Sequence, residues 1–110
     1  MSNGELRDHL GRLDESGYTV VEEAIDPGSL GELRRGLAEV EAEHDVGYRK
    51  TTFEGTRTVR IYNLLAMHRV FGRIPVSPLV RPIMEQVLDA ELQLSALSAI
   101  CLGPGQETQP

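Results

Sequence analysis

Apolar residues recur at helical spacing from the start of the chain. In "ELRDHLGRLDESG" the leucines Leu6, Leu10 and Leu13 share one face and Gly17 supplies a stop, which predicts a short amphipathic helix. "YTVVEEAI" then gathers β-branched residues at positions 19–21 and predicts a short strand. A second helix opens at "DPGSLGELRRGLAEVEAEHD", with Asp26 and Pro27 as cap and first residue, and Ser29 with Glu32 as an alternative capping box. Its apolar stripe is Leu30, Leu33, Leu37 and Val40, and the acidic residues at 39, 41 and 43 fall mostly off it. "VGYRKTTFEG" reads as an irregular or hairpin segment. "TRTVRIYNLL" reads as a strand, Thr58, Arg60 and Tyr62 alternating with Val59 and Ile61. "LAMHRVFGRI" suggests a short helix or turn. Ser77 and Pro78 then cap a helix with apolar pairs at 79/80, 83/84 and 87/88, ending near Asp89. A last strand runs from Leu92 to Leu102.

This order predicts an α+β fold, with residues 1–110 forming part of a single domain. Residues 94–102 are all apolar or small and carry no charge. Such a strand is normally covered on both faces, and about three strands are too few to cover it.

Charge divides the chain. Residues 1–45 hold four Arg against twelve Asp and Glu, residues 46–81 hold six Arg and Lys50 against Glu54 alone, and residues 82–110 hold four carboxylates. The basic middle suits an anionic small molecule, or equally an internal pairing with the acidic helices. A net charge of −6, aromatics at 5% and no Trp argue against a nucleic-acid partner. No apolar run approaches a membrane span and "MSNGELRDHL" lacks a signal pattern, so no membrane partner and a cytoplasmic location are expected.

Recognisable chemistry is sparse. The single cysteine, Cys101, excludes an internal disulfide and a paired-cysteine metal site, and its apolar surroundings predict a buried thiol. His9, His44 and His68 have no ligand or triad partner at a telling spacing, and His9 is expected on an exposed helix face. No nucleophile elbow and no phosphate-cradling glycine loop occurs.

The opening "LDESGYTVVEEAIDPGSLGELR" and the stretch from "TRTVRIYNLL" to "GPGQETQP" resemble the amino-terminal third of the phytanoyl-CoA dioxygenase family. The resemblance runs from Leu6 to Pro110, and "RIYNLL" and "GPGQETQP" are its most specific pieces. It implies the helices and first strands of a double-stranded β-helix, or jelly roll. In that family iron(II) is held by a His-x-Asp pair and a distant His, leaving coordination sites open for 2-oxoglutarate and oxygen. None of these ligands occurs at a motif position here, nor does the arginine that grips 2-oxoglutarate. The resemblance places the His-x-Asp pair shortly after Pro110, so the chain is expected to be cut before its metal motif. It also implies that Arg60 and Asn63 border the cofactor and substrate pocket, and that Gln106 and Gln109 are placed to touch substrate or to support, from behind, the residues that do.

The expectation is thus an amino-terminal piece of an iron(II)- and 2-oxoglutarate-dependent hydroxylase acting on a small molecule, binding neither cofactor and having no activity alone. The competing expectation is a small non-enzymatic interaction domain using the apolar strand 92–102. The same strand is expected to drive self-association if left uncovered.

Overall fold

A computed structural model describes residues 1–44, 46–48, 53 and 55–108. The architecture is α+β, with four α-helices, a 3-10 turn and a two-stranded antiparallel sheet among the described residues. The backbone groups into two compact units, Met1–Leu30 with Gly72–Leu94, and Gly31–Phe71 with Ser95–Pro110.

In the first unit, helix α1 (Asn3–Ser16) is fixed at both ends by local chemistry. The Ser2 hydroxyl accepts from the Glu5 backbone N–H at 3.2 Å, and the Glu5 carboxylate accepts from the Ser2 N–H at 2.7 Å. This reciprocal box satisfies two donors that a helix start leaves open. At the other end Gly17 adopts φ 80°, which a residue without Cβ reaches at no steric cost, and its N–H reaches the Leu13 carbonyl. Tyr18–Val21 follows, with Tyr18 and Val20 exposed and Thr19 and Val21 half-buried. The alternation of a strand is present, yet this segment joins no sheet. The expected strand is absent because β-propensity needs a partner ladder to become a strand, and among the described residues none lies beside it.

Helix α2 (Pro27–His44) begins in this unit, where the Asp26 carboxylate accepts from the Ser29 N–H and hydroxyl. The last helix of the unit, Arg81–Val87, packs on α1 and buries Ile83. Ser77 prepares its start: the carbonyl accepts from the Val80 and Arg81 N–H groups, and the hydroxyl from that of Leu79.

The second unit contains the remainder of α2, strand β1 (Thr58–Ile61), the one-turn helix α3 (Leu64–Met67), the start of the 3-10 turn Arg69–Arg73, and strand β2 (Ala99–Leu102). The one-turn helix makes the helix at Arg81–Val87 α4. The strands pair antiparallel, Thr58 opposite Leu102 and Ile61 opposite Ala99. Val40, Ile61, Leu64, Val70 and Phe71 form a buried cluster, with Phe71 2% exposed. Gly36 of α2 is buried too: a Cβ there would stand 2.6 Å from a Val70 methyl, so the missing side chain lets the helix approach this core.

Three expectations are corrected in this unit. The strand expected over 92–102 is confined to 99–102, because its partner ends at Ile61 and the chain turns at Asn63, φ 57°. Before Ala99 one backbone bond remains, from the Leu64 N–H to the Leu97 carbonyl at 3.0 Å. The expected alternation of β1 does not appear as burial: Thr58 and Ile61 are buried and the two residues between them half-buried. Cys101 is exposed rather than buried, since no second layer covers β2 among the described residues.

Candidate functional site

Three of the residues that the sequence singles out, Arg60, Asn63 and Gln106, lie on or beside β1. Arg60 is half-buried on the strand opposite Ile100. It is held by interactions within the fold. Asn63 lies past the carboxyl end of β1 in left-handed backbone, a conformation asparagine tolerates better than most residues. Its side chain makes no cap to α3, and the residue is exposed.

Gln106 lies at the opposite end of β1. After β2 the chain turns through Gly103–Gln106, with Gly105 at φ 77° and the Gln106 N–H bonded to the Gly103 carbonyl. The turn brings the Gln106 side-chain oxygen to the Arg57 N–H at 2.5 Å and to the Thr58 hydroxyl at 3.1 Å. The Gln106 amide nitrogen donates to the Glu107 carbonyl at 2.9 Å, and the Arg57 guanidinium donates to the Pro104 carbonyl at 2.9 Å. Gly103 leaves no room for a side chain, since an added Cβ would meet the Tyr48 hydroxyl and the Arg57 carbonyl. Gln106 therefore fastens the turn after β2 to the start of β1, with its oxygen and its amide both engaged. Gln109 lies outside the described residues. Of the four candidates, Arg60 and Asn63 share one stretch of chain, while Gln106 sits at the other end of the strand.

Two arrangements escaped sequence reasoning. The first joins the acidic α2 to the basic middle. His68 Nδ1 accepts from the Val70 N–H at 3.1 Å, which leaves the hydrogen on Nε2 to donate to the Glu39 carboxylate at 2.7 Å. The ring also meets Phe71 edge-on, centroids 6.0 Å apart. Glu39 and His68 are 29 residues apart, and no spacing rule links them.

The second lies in the first unit. His9, expected on an exposed face, is half-buried because Thr19 folds back onto α1 and stands 2.8 Å from its Nδ1. The Arg12 guanidinium approaches the same nitrogen at 3.3 Å. Arginine only donates, so Nδ1 accepts and the ring hydrogen resides on Nε2. These groups line a groove of about 570 Å³, walled by the Glu5, His9, Arg12 and Ser16 side of α1, by segment 18–22 and by Leu79. The i, i+3 spacing of His9 and Arg12 was a visible signal; the return of Thr19 was not.

Among the described residues no three His, Cys, Asp or Glu side chains gather in a group that could hold a metal ion. The described residues thus offer no set that fits an iron centre, and no chemical step through iron follows from them. No described helix is long and apolar enough to cross a membrane. Comparison with protein-family models, curated proteins and solved structures finds no match to this chain.

Proposed function

We propose that these residues are the amino-terminal part of a cytoplasmic iron(II)- and 2-oxoglutarate-dependent hydroxylase resembling the phytanoyl-CoA dioxygenase family, acting on a small molecule and inactive alone. One observation carries the reading. The two stretches of strongest resemblance, "RIYNLL" and the start of "GPGQETQP", adjoin one antiparallel strand pair, which Gln106 fastens across 49 positions. In this reading β1 and β2 are the first rungs of a jelly roll, Arg60 and Asn63 border its pocket, and Gln106 supports the pocket from behind.

The test is the reading frame that follows Pro110. The expected result is a His-x-Asp pair within a few codons and, for the continuous protein, succinate formation dependent on iron(II) and 2-oxoglutarate. In that protein Arg60→Ala is expected to lower kcat/KM by about ten- to hundredfold, the range for a lost charge-assisted hydrogen bond. A frame without the pair, or a one-to-one iron(II) site on the 110 residues alone, overturns the reading.

A second reading, a non-enzymatic interaction module, rests on the exposure of β2, where Ile100 and Leu102 are 53% and 61% exposed. An apolar strand of this kind is a template for pairing with another chain. This reading expects the 110 residues to be a stable, cooperatively melting monomer in size-exclusion chromatography with light scattering, and a stop codon after Pro110. A frame that continues into a His-x-Asp pair overturns it.

A further inference from the structure

We infer that the groove along α1 is a binding site for a small monocarboxylate with an apolar body, its carboxylate seated against the Arg12 guanidinium, which His9 and Thr19 hold in place. The site stands on its own geometry, since none of its residues belongs to the strand pair that carries the proposed function.

The donor set argues for an anion. A guanidinium carries five N–H donors, and Arg12 directs one nitrogen to His9 while, among the described residues, no carboxylate pairs with it. His9 Nδ1 faces the Thr19 hydroxyl and the Arg12 guanidinium together, so this pair orients the guanidinium and leaves its remaining donors for the ligand. Ser16, one turn beyond Arg12 on the same side of α1, adds a hydroxyl at that end. A planar fork of this kind matches a carboxylate with two parallel hydrogen bonds.

The rest of the groove limits what is attached to that carboxylate. Tyr18, Val21 and Leu79 offer apolar wall. Glu5 and Glu22 line the same groove, and a second negative charge would meet them unfavourably. From Arg12 to Glu5 is seven helical residues, about 10 Å at 1.5 Å per residue, which sets the length of the apolar body. The volume of about 570 Å³ lies in the range of small-molecule sites.

The experiment titrates the whole chain with hexanoate and follows the backbone amides by NMR. Saturable shifts are expected at His9, Arg12 and Thr19, with none from the neutral hexanamide. Arg12→Gln is expected to weaken hexanoate about tenfold or more, as loss of a charge-assisted contact does. Arg12→Lys, which keeps the charge but not the fork, is expected to fall between. Arg12 is exposed, so an unchanged thermal melt of both variants is expected to separate lost binding from lost fold. Thr19→Val keeps the shape and removes the hydroxyl that holds the His9 ring, and is expected to weaken binding less than Arg12→Gln does. Equal binding of hexanamide, equal displacement by inorganic phosphate, or unchanged affinity in Arg12→Gln overturns the assignment.

Discussion

The two units are stabilised differently. Among the described residues the second holds five of the six buried hydrophobic side chains, Val40, Ile61, Leu64, Val70 and Phe71, while the first holds Ile83 alone. Both leave large apolar side chains exposed, Tyr18 and Val20 at 68% and 64% in the first and Phe53 and Leu102 at 72% and 61% in the second. The helices of the first are set by caps within a few residues of sequence, such as the Ser2–Glu5 box, the Gly17 stop and the Asp26–Ser29 bonds. In the second unit, contacts between distant positions fix the arrangement, as with Gln106 on Arg57 and His68 on Glu39. Local signals can make a helix start and stop; a core of branched and aromatic side chains selects which surfaces meet.

The strongest test of this contrast is at the core itself. Phe71→Ala is expected to cost about 3–5 kcal/mol, the range for removing a fully buried aromatic. Leu88→Ala, on the exposed side of the first unit, is expected to stay within about 0.5 kcal/mol. Urea midpoints measure both, and a Leu88→Ala loss as large as that of Phe71→Ala breaks the contrast.

Gly36→Ala probes how closely the parts of the second unit fit. Alanine gains about 1 kcal/mol of helix propensity over glycine, but its methyl would have to displace Val70 from 2.6 Å. Overpacking of this kind costs about 1–3 kcal/mol. A net loss is therefore expected, and a rise in melting temperature would show that Val70 yields freely. Gly11→Ala in α1, where an added Cβ meets nothing within 4 Å, is the control and is expected to gain stability.

Gln106→Ala removes the long-range fastening. A loss of about 0.5–1.5 kcal/mol is expected for each hydrogen bond given up, with faster hydrogen exchange at the Arg57 amide. An unaltered exchange rate there would mean that the strand pair holds without its hook.

The smallest expected effect is the acid response of the first unit. Bonds from the Ser2 backbone N–H, then its hydroxyl, hold the Glu5 carboxyl below its ordinary value; the Ser29 hydroxyl and then its N–H do so for Asp26. Both folded values lie below the unfolded ones. The stabilisation is complete above the ordinary carboxylate range and disappears as pH falls through the lowered values. Side-chain NMR titration is expected to show both groups ionised below that range, and fraying at both helix starts should follow their protonation. Ordinary titration of either carboxyl would mean its cap is open in solution.

Much of the first unit was legible from local pattern, because its determinants lie close together in sequence. The leucine spacing and Gly17 located α1, and Asp26 with Pro27 located the start of α2. The same reasoning failed at "YTVVEEAI" and over residues 92–98, where strand-forming composition met no partner. Of the candidate sites, the sequence could nominate Arg60, Asn63 and Gln106. It could not place Gln106 beneath Thr58, nor bring Thr19 to His9 and Glu39 to His68, since each pairing depends on where a turn returns the chain.

The sequence by itself determined the α+β class, the positions of the long helices, the strand at Thr58–Ile61 and the uneven charge. These follow from periodicity, capping residues and side-chain shape, which act over a few residues. Only the tertiary structure decided how long β2 is, that Cys101 faces outward, that His9 and Arg12 share a groove, and that Gly36 admits Val70. Each of those depends on which distant surface arrives opposite a residue, and hydrophobic burial, being non-directional, leaves that choice to the packing of the whole unit.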